Sequence, residues 1–198
     1  MRYFALAWMI LLVPLLLCGT AGLTFEGETL VFTLSREAPG SDSLVWLAQG
    51  DYYFSNLSND GISSPIAFPI PSGNGSEVAV LHDLALIDPA DSMAVELLRQ
   101  HDQGLLFTLK LPANSFAHLR LSYSQIITGA EAVYILKSAN TWGRALPYCG
   151  IELLVEEGLK VSVPGFPGPR IQTTDGCTSW QWDFTNIVFS HDFRITLK

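Results

Sequence analysis

Positive charge is scarce in this chain. Lys and Arg number 11 against 19 Asp and Glu, which gives a formal charge of −8. With no basic stripe, a phosphate backbone finds no counter-charge, and nucleic-acid binding is excluded. An anionic lipid surface is disfavoured on the same ground. Cysteine is also rare, three in 198 residues, and without a C-x-x-C or neighbouring His the thiols cannot complete a tetrahedral zinc site. After the opening 22 residues no apolar run is long enough to span a bilayer, so no transmembrane segment is expected once a leader is removed. The G-x-S-x-G elbow, the H-E-x-x-H pair, the Walker loop and the dinucleotide glycine fingerprint are all missing. No metal and no cofactor is expected, and Gly73-Asn74-Gly75 reads as a hairpin loop.

What is present begins with a leader. Arg2 is followed by an apolar stretch over 4–17, interrupted only by Pro14, and then by Gly19-Thr20-Ala21. This is the pattern of a secretory signal cleaved after Ala21, leaving a mature chain of 22–198. As a helix the stretch rises about 21 Å, short of the roughly 30 Å hydrocarbon core. Cys18 leaves lipid attachment open as an alternative, although Leu17 is larger than the small residue such a signal places before its cysteine. Secretion, or residence in the periplasm or at the cell surface, is the expected location. Cys149 and Cys177 then remain as an even pair in an oxidising compartment, where a disulfide between them is expected.

The body of the chain alternates with period 2. Strands are expected at 29–34, 44–48, 105–111, 118–127, 132–136, 151–155, 159–163, 179–184, 187–189 and 193–197, with a further one carrying Tyr52, Phe54 and Asn56 on a single face. Gly165-Phe166-Pro167-Gly168-Pro169 reads as a loop, and Glu156-Glu157-Gly158 as a solvated turn. One helix is expected from Asp88 to about Gln100, with Asp88 as cap, Pro89 in the first turn, and Met93, Ala94, Leu97 and Leu98 at helical spacing. The fold class is therefore all-β: an antiparallel β-sandwich with one short inserted helix. A single domain is expected, with 86–103 as the place where it would subdivide.

The residues that could carry function are few. Trp180, Trp182 and Phe184 share one side of a strand, with Gln181 and Asp183 on the other. Such a row is either a platform for sugar rings or part of a sandwich core. His82, His101 and His191 each precede an Asp, but neighbours on a strand point to opposite faces, so the dipeptides build no His–carboxylate dyad. Asn56-Leu57-Ser58 and Asn74-Gly75-Ser76 match the glycosylation sequon.

Two blocks carry a resemblance. The first is Tyr52, Phe54 and Asn56 followed by Phe68-Pro69-Ile70-Pro71. The second is Ser122-Tyr123-Ser124-Gln125, then Tyr134-Ile135-Leu136 and Thr141-Trp142-Gly143. Together they resemble a set of uncharacterised exported prokaryotic β-proteins, across roughly the middle half of the mature chain. The resemblance implies an exported, sandwich-like protein of no known activity, with Asn56 and Trp142 as fold-defining residues. Asn56 would brace a turn, Pro69 and Pro71 would stop an edge strand from pairing further, and Trp142 would plug one end of the sandwich. The function expected is a non-catalytic binding module at the cell envelope, with a glycan or an envelope protein as partner. The alternative is an envelope-associated hydrolase whose site is assembled from distant strands.

Overall fold

Alternation of apolar and polar residues over long runs dictates strands with one greasy face, and the described residues form thirteen of them. The structure, a computed structural model, describes residues 22–71, 78–174 and 176–198. The leader, Cys18, the 73–75 loop and the Asn74 sequon lie outside the described residues. In chain order the strands are β1 (Leu23–Arg36), β2 (Leu44–Asn56), β3 (Ile62–Pro69), β4 (Val80–Ile87), β5 (Ala94–His101), β6 (Gly104–Leu111), β7 (Ser115–Ile127) and β8 (Glu131–Tyr134). A 3-10 helix (Leu136–Trp142) separates these from β9 (Leu146–Glu156), β10 (Val161–Ser162), β11 (Arg170–Thr174), β12 (Cys177–Ile187) and β13 (Phe193–Leu197).

The all-β class holds, with one short helix among the described residues, the 3-10 turn at Leu136–Trp142. Seven strands form a large sheet in the order β11-β12-β9-β1-β2-β7-β4, and two three-stranded sheets, β10-β13-β8 and β3-β6-β5, accompany it. One pairing departs from the antiparallel expectation, because β1 runs parallel to β9. Strands from both sides of 86–103 are hydrogen-bonded into the same large sheet.

The inner face of the large sheet buries Leu30, Phe32 and Leu34 of β1, Trp46 of β2, Leu119 and Leu121 of β7, and Ile151 and Leu153 of β9. Aromatic contacts show what covers them. Phe193 of β13 stacks on Phe32 at 5.2 Å between centroids and meets Trp182 edge-on at 5.5 Å. Phe68 of β3 meets Tyr52 and Tyr123 edge-on, at 5.6 and 6.3 Å. The small sheets thus lie over different parts of the large one, and Tyr134 of β8 reaches Phe68 where they adjoin, at 6.2 Å.

The expected helix from Asp88 to Gln100 does not form. Asp88 (φ 48°) and Ser92 (φ 71°) both adopt left-handed backbone, which no right-handed helix can contain. Of the apolar residues that mimic helical spacing, Ala94, Leu97 and Leu98 belong to β5, where a register shift between Leu97 and Arg99 against β6 breaks the simple alternation. Strands β4 and β11 also formed where none was expected, and 159–163 contributes only β10.

The expected disulfide is overturned as well. Cys149 lies opposite Phe184 and Cys177 opposite Glu156, so the thiols sit seven positions apart along neighbouring strands. At about 3.4 Å per residue that is roughly 24 Å, far beyond the ~7 Å that a disulfide tolerates between Cα atoms. Both cysteines are free, Cys149 buried and Cys177 half-buried. A thiol reagent is expected to modify Cys177 in the native protein and Cys149 only after denaturation, as read by intact mass; a native mass two hydrogens lighter and inert to the reagent would restore the bridge.

Candidate functional site

A β-bulge creates the most unusual position in the core. The register of β1 against β2 shifts between Phe25 and Gly27, and the extra residue reverses which parity faces inward. Leu23 and Phe25 are buried before the bulge, whereas Glu28, Leu30, Phe32 and Leu34 are buried after it. An acid is thereby carried indoors: Glu28 is only 3% exposed. Gly27 lets the bulge sit tight, since a Cβ there would approach the Tyr148 carbonyl oxygen to 2.8 Å.

The two strands flanking β1 place Tyr52 and Cys149 directly opposite Glu28. The Cys149 thiol donates to Glu28 Oε1 at 3.7 Å, and the Tyr52 and Tyr134 hydroxyls lie 2.7 Å apart. Gly50, two residues before Tyr52 on the same face, leaves the space that the phenol folds across. Burial pushes the Glu28 carboxyl up to about 7, with hydrogen bonds from Cys149 and Tyr134 pulling the other way. Burial, then the charge of Glu28, pushes the Cys149 thiol well above its ordinary value. Cys149 is therefore a proton donor to the acid and not a thiolate nucleophile. The Tyr52 and Tyr134 phenols are raised too, chiefly by burial.

Above this cluster lies a cavity of about 320 Å³. Glu28, Tyr52 and Tyr134 form its polar end, while Phe25, Phe54 and Trp142 make one wall and Phe68, Leu105 and Phe107 another. The exposed residues His101, Gln103 and Thr141 also line it, so the cavity runs from solvent to the buried acid. It lies at the seam where β3, β6, Tyr134 and the 3-10 helix meet over β1 and β2. Trp142, half-buried, packs on Phe25 and Phe54, each at 5.7 Å. Asn56 braces its turn by donating to the carbonyls of Asp60 and Pro112 at 2.8 and 2.7 Å, while its own oxygen accepts from Ser58. It is fully buried, which removes its sequon from reach. Pro69 lies on β3, an edge strand as anticipated.

The Trp row belongs to the inner face. Trp182 is 4% exposed, its indole donates to the Pro167 carbonyl at 2.7 Å, and Phe166 of the same loop packs against it edge-on. Trp180 is half-buried beside it. Gln181 and Asp183 are on the opposite face, where Gln181 donates to Glu152 and Asp183 accepts from Arg170 and Tyr148. Trp180 and Trp182 thus face the core and Gln181 and Asp183 the outer surface, the division that their alternation along the strand predicts.

The histidines separate likewise. His118, the one without a following Asp, has Nε2 2.9 Å from Asp51 Oδ1, and Arg120 Nε donates to the same oxygen at 2.9 Å. The three residues meet across the β2–β7 register on the outer face. Burial tends to raise the Asp51 carboxyl, but the hydrogen bonds and charges of Arg120 and His118 outweigh it and hold it below its usual range. His82 lies 2.8 Å from the Ser124 hydroxyl, and His191 contacts Ser190 and Phe166. Among the described residues no group of three or more His, Cys, Asp or Glu is placed to hold a metal ion.

Glu28 escaped the sequence reading, although its parity with Leu30, Phe32 and Leu34 carries the signal. Extending that strand one step back, to 28, puts an acid on the apolar face.

These features define a layered all-β protein with an internal, mostly apolar cavity ending in one acid. Among solved structures the chain is similar to a candidate nutrient-binding protein from Legionella pneumophila, with a TM-score of 0.65 and 14% identity over 89% of this chain and 67% of that one. It is also similar to an M1 zinc metallopeptidase from Deinococcus radiodurans bound to a Tyr-Ser-Ala substrate, with a TM-score of 0.48 and 13% identity over 88% of this chain. The chain spans only 42% of that peptidase. At such identities the likeness to the Legionella protein is one of fold. No family model and no curated protein sequence matches the chain.

Proposed function

We propose that this chain is a non-catalytic, exported binding module of the cell envelope whose ligand is a small, largely apolar molecule held in the seam cavity. The observation that carries the reading is a solvent-connected, aromatic-walled cavity with an acid and two phenols at its buried end, the usual anatomy of a small-molecule site. The apolar leader with its small-residue cleavage pattern supports export. Among the described residues no helix is long and apolar enough to cross a membrane. The fold-level likeness to a protein described as nutrient-binding is in keeping with a binding role. A saccharide suits this cavity poorly, because its hydroxyls need partners on all sides and the walls are hydrocarbon.

Trp142 lies in the wall and reports on occupancy. Titration with a neutral aromatic alcohol such as 3-phenylpropan-1-ol is expected to change tryptophan emission saturably and to give a 1:1 calorimetric isotherm. Ala139→Phe, which fills the cavity from the 3-10 helix, is expected to weaken binding about tenfold or more, a loss of about 1.4 kcal/mol. A non-saturating response, or an unchanged isotherm in the filled variant, would remove the reading.

A further inference from the structure

The cavity's charge is one-sided. Glu28 lines it, whereas no Lys or Arg does. The nearby Arg144 is committed elsewhere, donating to Glu26 and to the Phe25 carbonyl. The groups facing Glu28 are the Tyr52 and Tyr134 phenols from β2 and β8 and the Cys149 thiol from β9, all neutral donors. A buried carboxylate surrounded by neutral donors and apolar walls is a costly arrangement that protein folding alone does not require. Opposite charge delivered from outside relieves the cost.

We infer that the cavity selects ligands with an apolar body and a terminal primary ammonium group, which ion-pairs with Glu28 at the closed end. This rests on the cavity being the binding site, as proposed above. The ammonium donates to the Glu28 carboxylate and to the hydroxyl oxygens of Tyr52 and Tyr134, and the apolar body lies between Phe54, Trp142 and Phe68. A charge-assisted bond out of water is stronger than the neutral bond an alcohol makes at the same place. A carboxylate ligand has no cation to meet and faces Glu28, so acids are rejected. Free amino acids share that penalty through their own carboxylate.

The inference also fixes a pH dependence. Burial holds Glu28 protonated up to about pH 7. Below that, an ammonium ligand must displace a proton to make its pair, so its affinity falls toward tenfold per pH unit, while that of the isosteric alcohol stays flat. His101 also lines the cavity, at its exposed mouth.

The test compares 3-phenylpropan-1-amine, 3-phenylpropan-1-ol and 3-phenylpropanoate by calorimetry on the purified chain between pH 5 and 8.5. At pH 8 the amine is expected to bind at least about tenfold more tightly than the alcohol, and the acid at least tenfold more weakly. Glu28→Gln is expected to abolish the amine's advantage and its pH dependence while alcohol binding persists, which also shows that the variant is folded. His101→Gln is expected to keep both. If amine and alcohol bind equally, or if Glu28→Gln leaves the preference intact, the head-group inference is overturned while the cavity stands. If none of the three binds, the cavity reading falls with it.

Discussion

Replacing Glu28 with Gln is expected to stabilise the unliganded protein by roughly 3 kcal/mol at pH 8 and to leave it nearly unchanged at pH 4. The folded-state value of about 7 lies above the ordinary 4.5 because burial penalises the charged form. Below pH 4.5 the carboxyl is protonated both folded and unfolded, and it imposes no pH-dependent cost. Between about 4.5 and 7 the unfolded chain releases the proton and the folded chain keeps it, so stability falls as pH rises. Above 7 the folded state carries the anion indoors and the full penalty of about 2.5 pH units applies, at 1.36 kcal/mol each. Glutamine keeps the shape and still accepts from Cys149, but has no charge to bury. Urea unfolding at pH 4, 6 and 8 measures the difference, and parallel pH profiles for the two proteins would show that Glu28 is not held as described.

The second large effect is expected at Gly104, which opens β6 beside the cavity mouth. Its φ of 145° lies where side chains are rarely tolerated, and a Cβ would run into the carbonyl oxygen of Phe68 on the paired strand β3. Gly104→Ala must therefore strain the backbone or part the two strands, at a cost of roughly 3 kcal/mol. Because Phe68, Pro69 and Leu105 line the cavity, parting them also opens its wall, and the alcohol described above is expected to bind at least tenfold more weakly. Gly143→Ala is the control: its φ is 74°, but nothing lies within 4 Å of the added carbon. That change is expected to cost only about 1 kcal/mol for the left-handed backbone. Equal losses at the two glycines would show that the close approach between β3 and β6 is unimportant.

Which parts of this molecule the sequence revealed follows from the range of the forces involved. Strands with a buried face, such as β6, β7 and β13, announce themselves through alternation, because one side must leave water. The segment 88–100 misled because Met93, Ala94, Leu97 and Leu98 satisfy a helical period locally, and only pairing with β6 makes a strand of 94–101. Similarly, the Trp180–Trp182 row was ambiguous until the 165–169 loop folded over it. His118 and Asp51 are brought together solely by the β2–β7 register, which no local pattern encodes. Cavities are subtler still: Phe54, Phe68 and Trp142 look like ordinary core residues, and only three-dimensional packing shows that they leave space between them. Even so, Glu28 was within reach through the parity of β1.

The parallel partnership of β1 and β9 shapes how this protein must be made. The first strand of the described chain occupies the middle of the large sheet, and its neighbour begins at Leu146. Until β9 has emerged, β1 has an unpaired edge and a greasy face partly uncovered, so closure of the sheet waits on contacts of very high sequence separation. Slow folding follows from that topology. A nascent chain that lingers unfolded also leaves its apolar strands open to wrong partners for longer before the sheet closes.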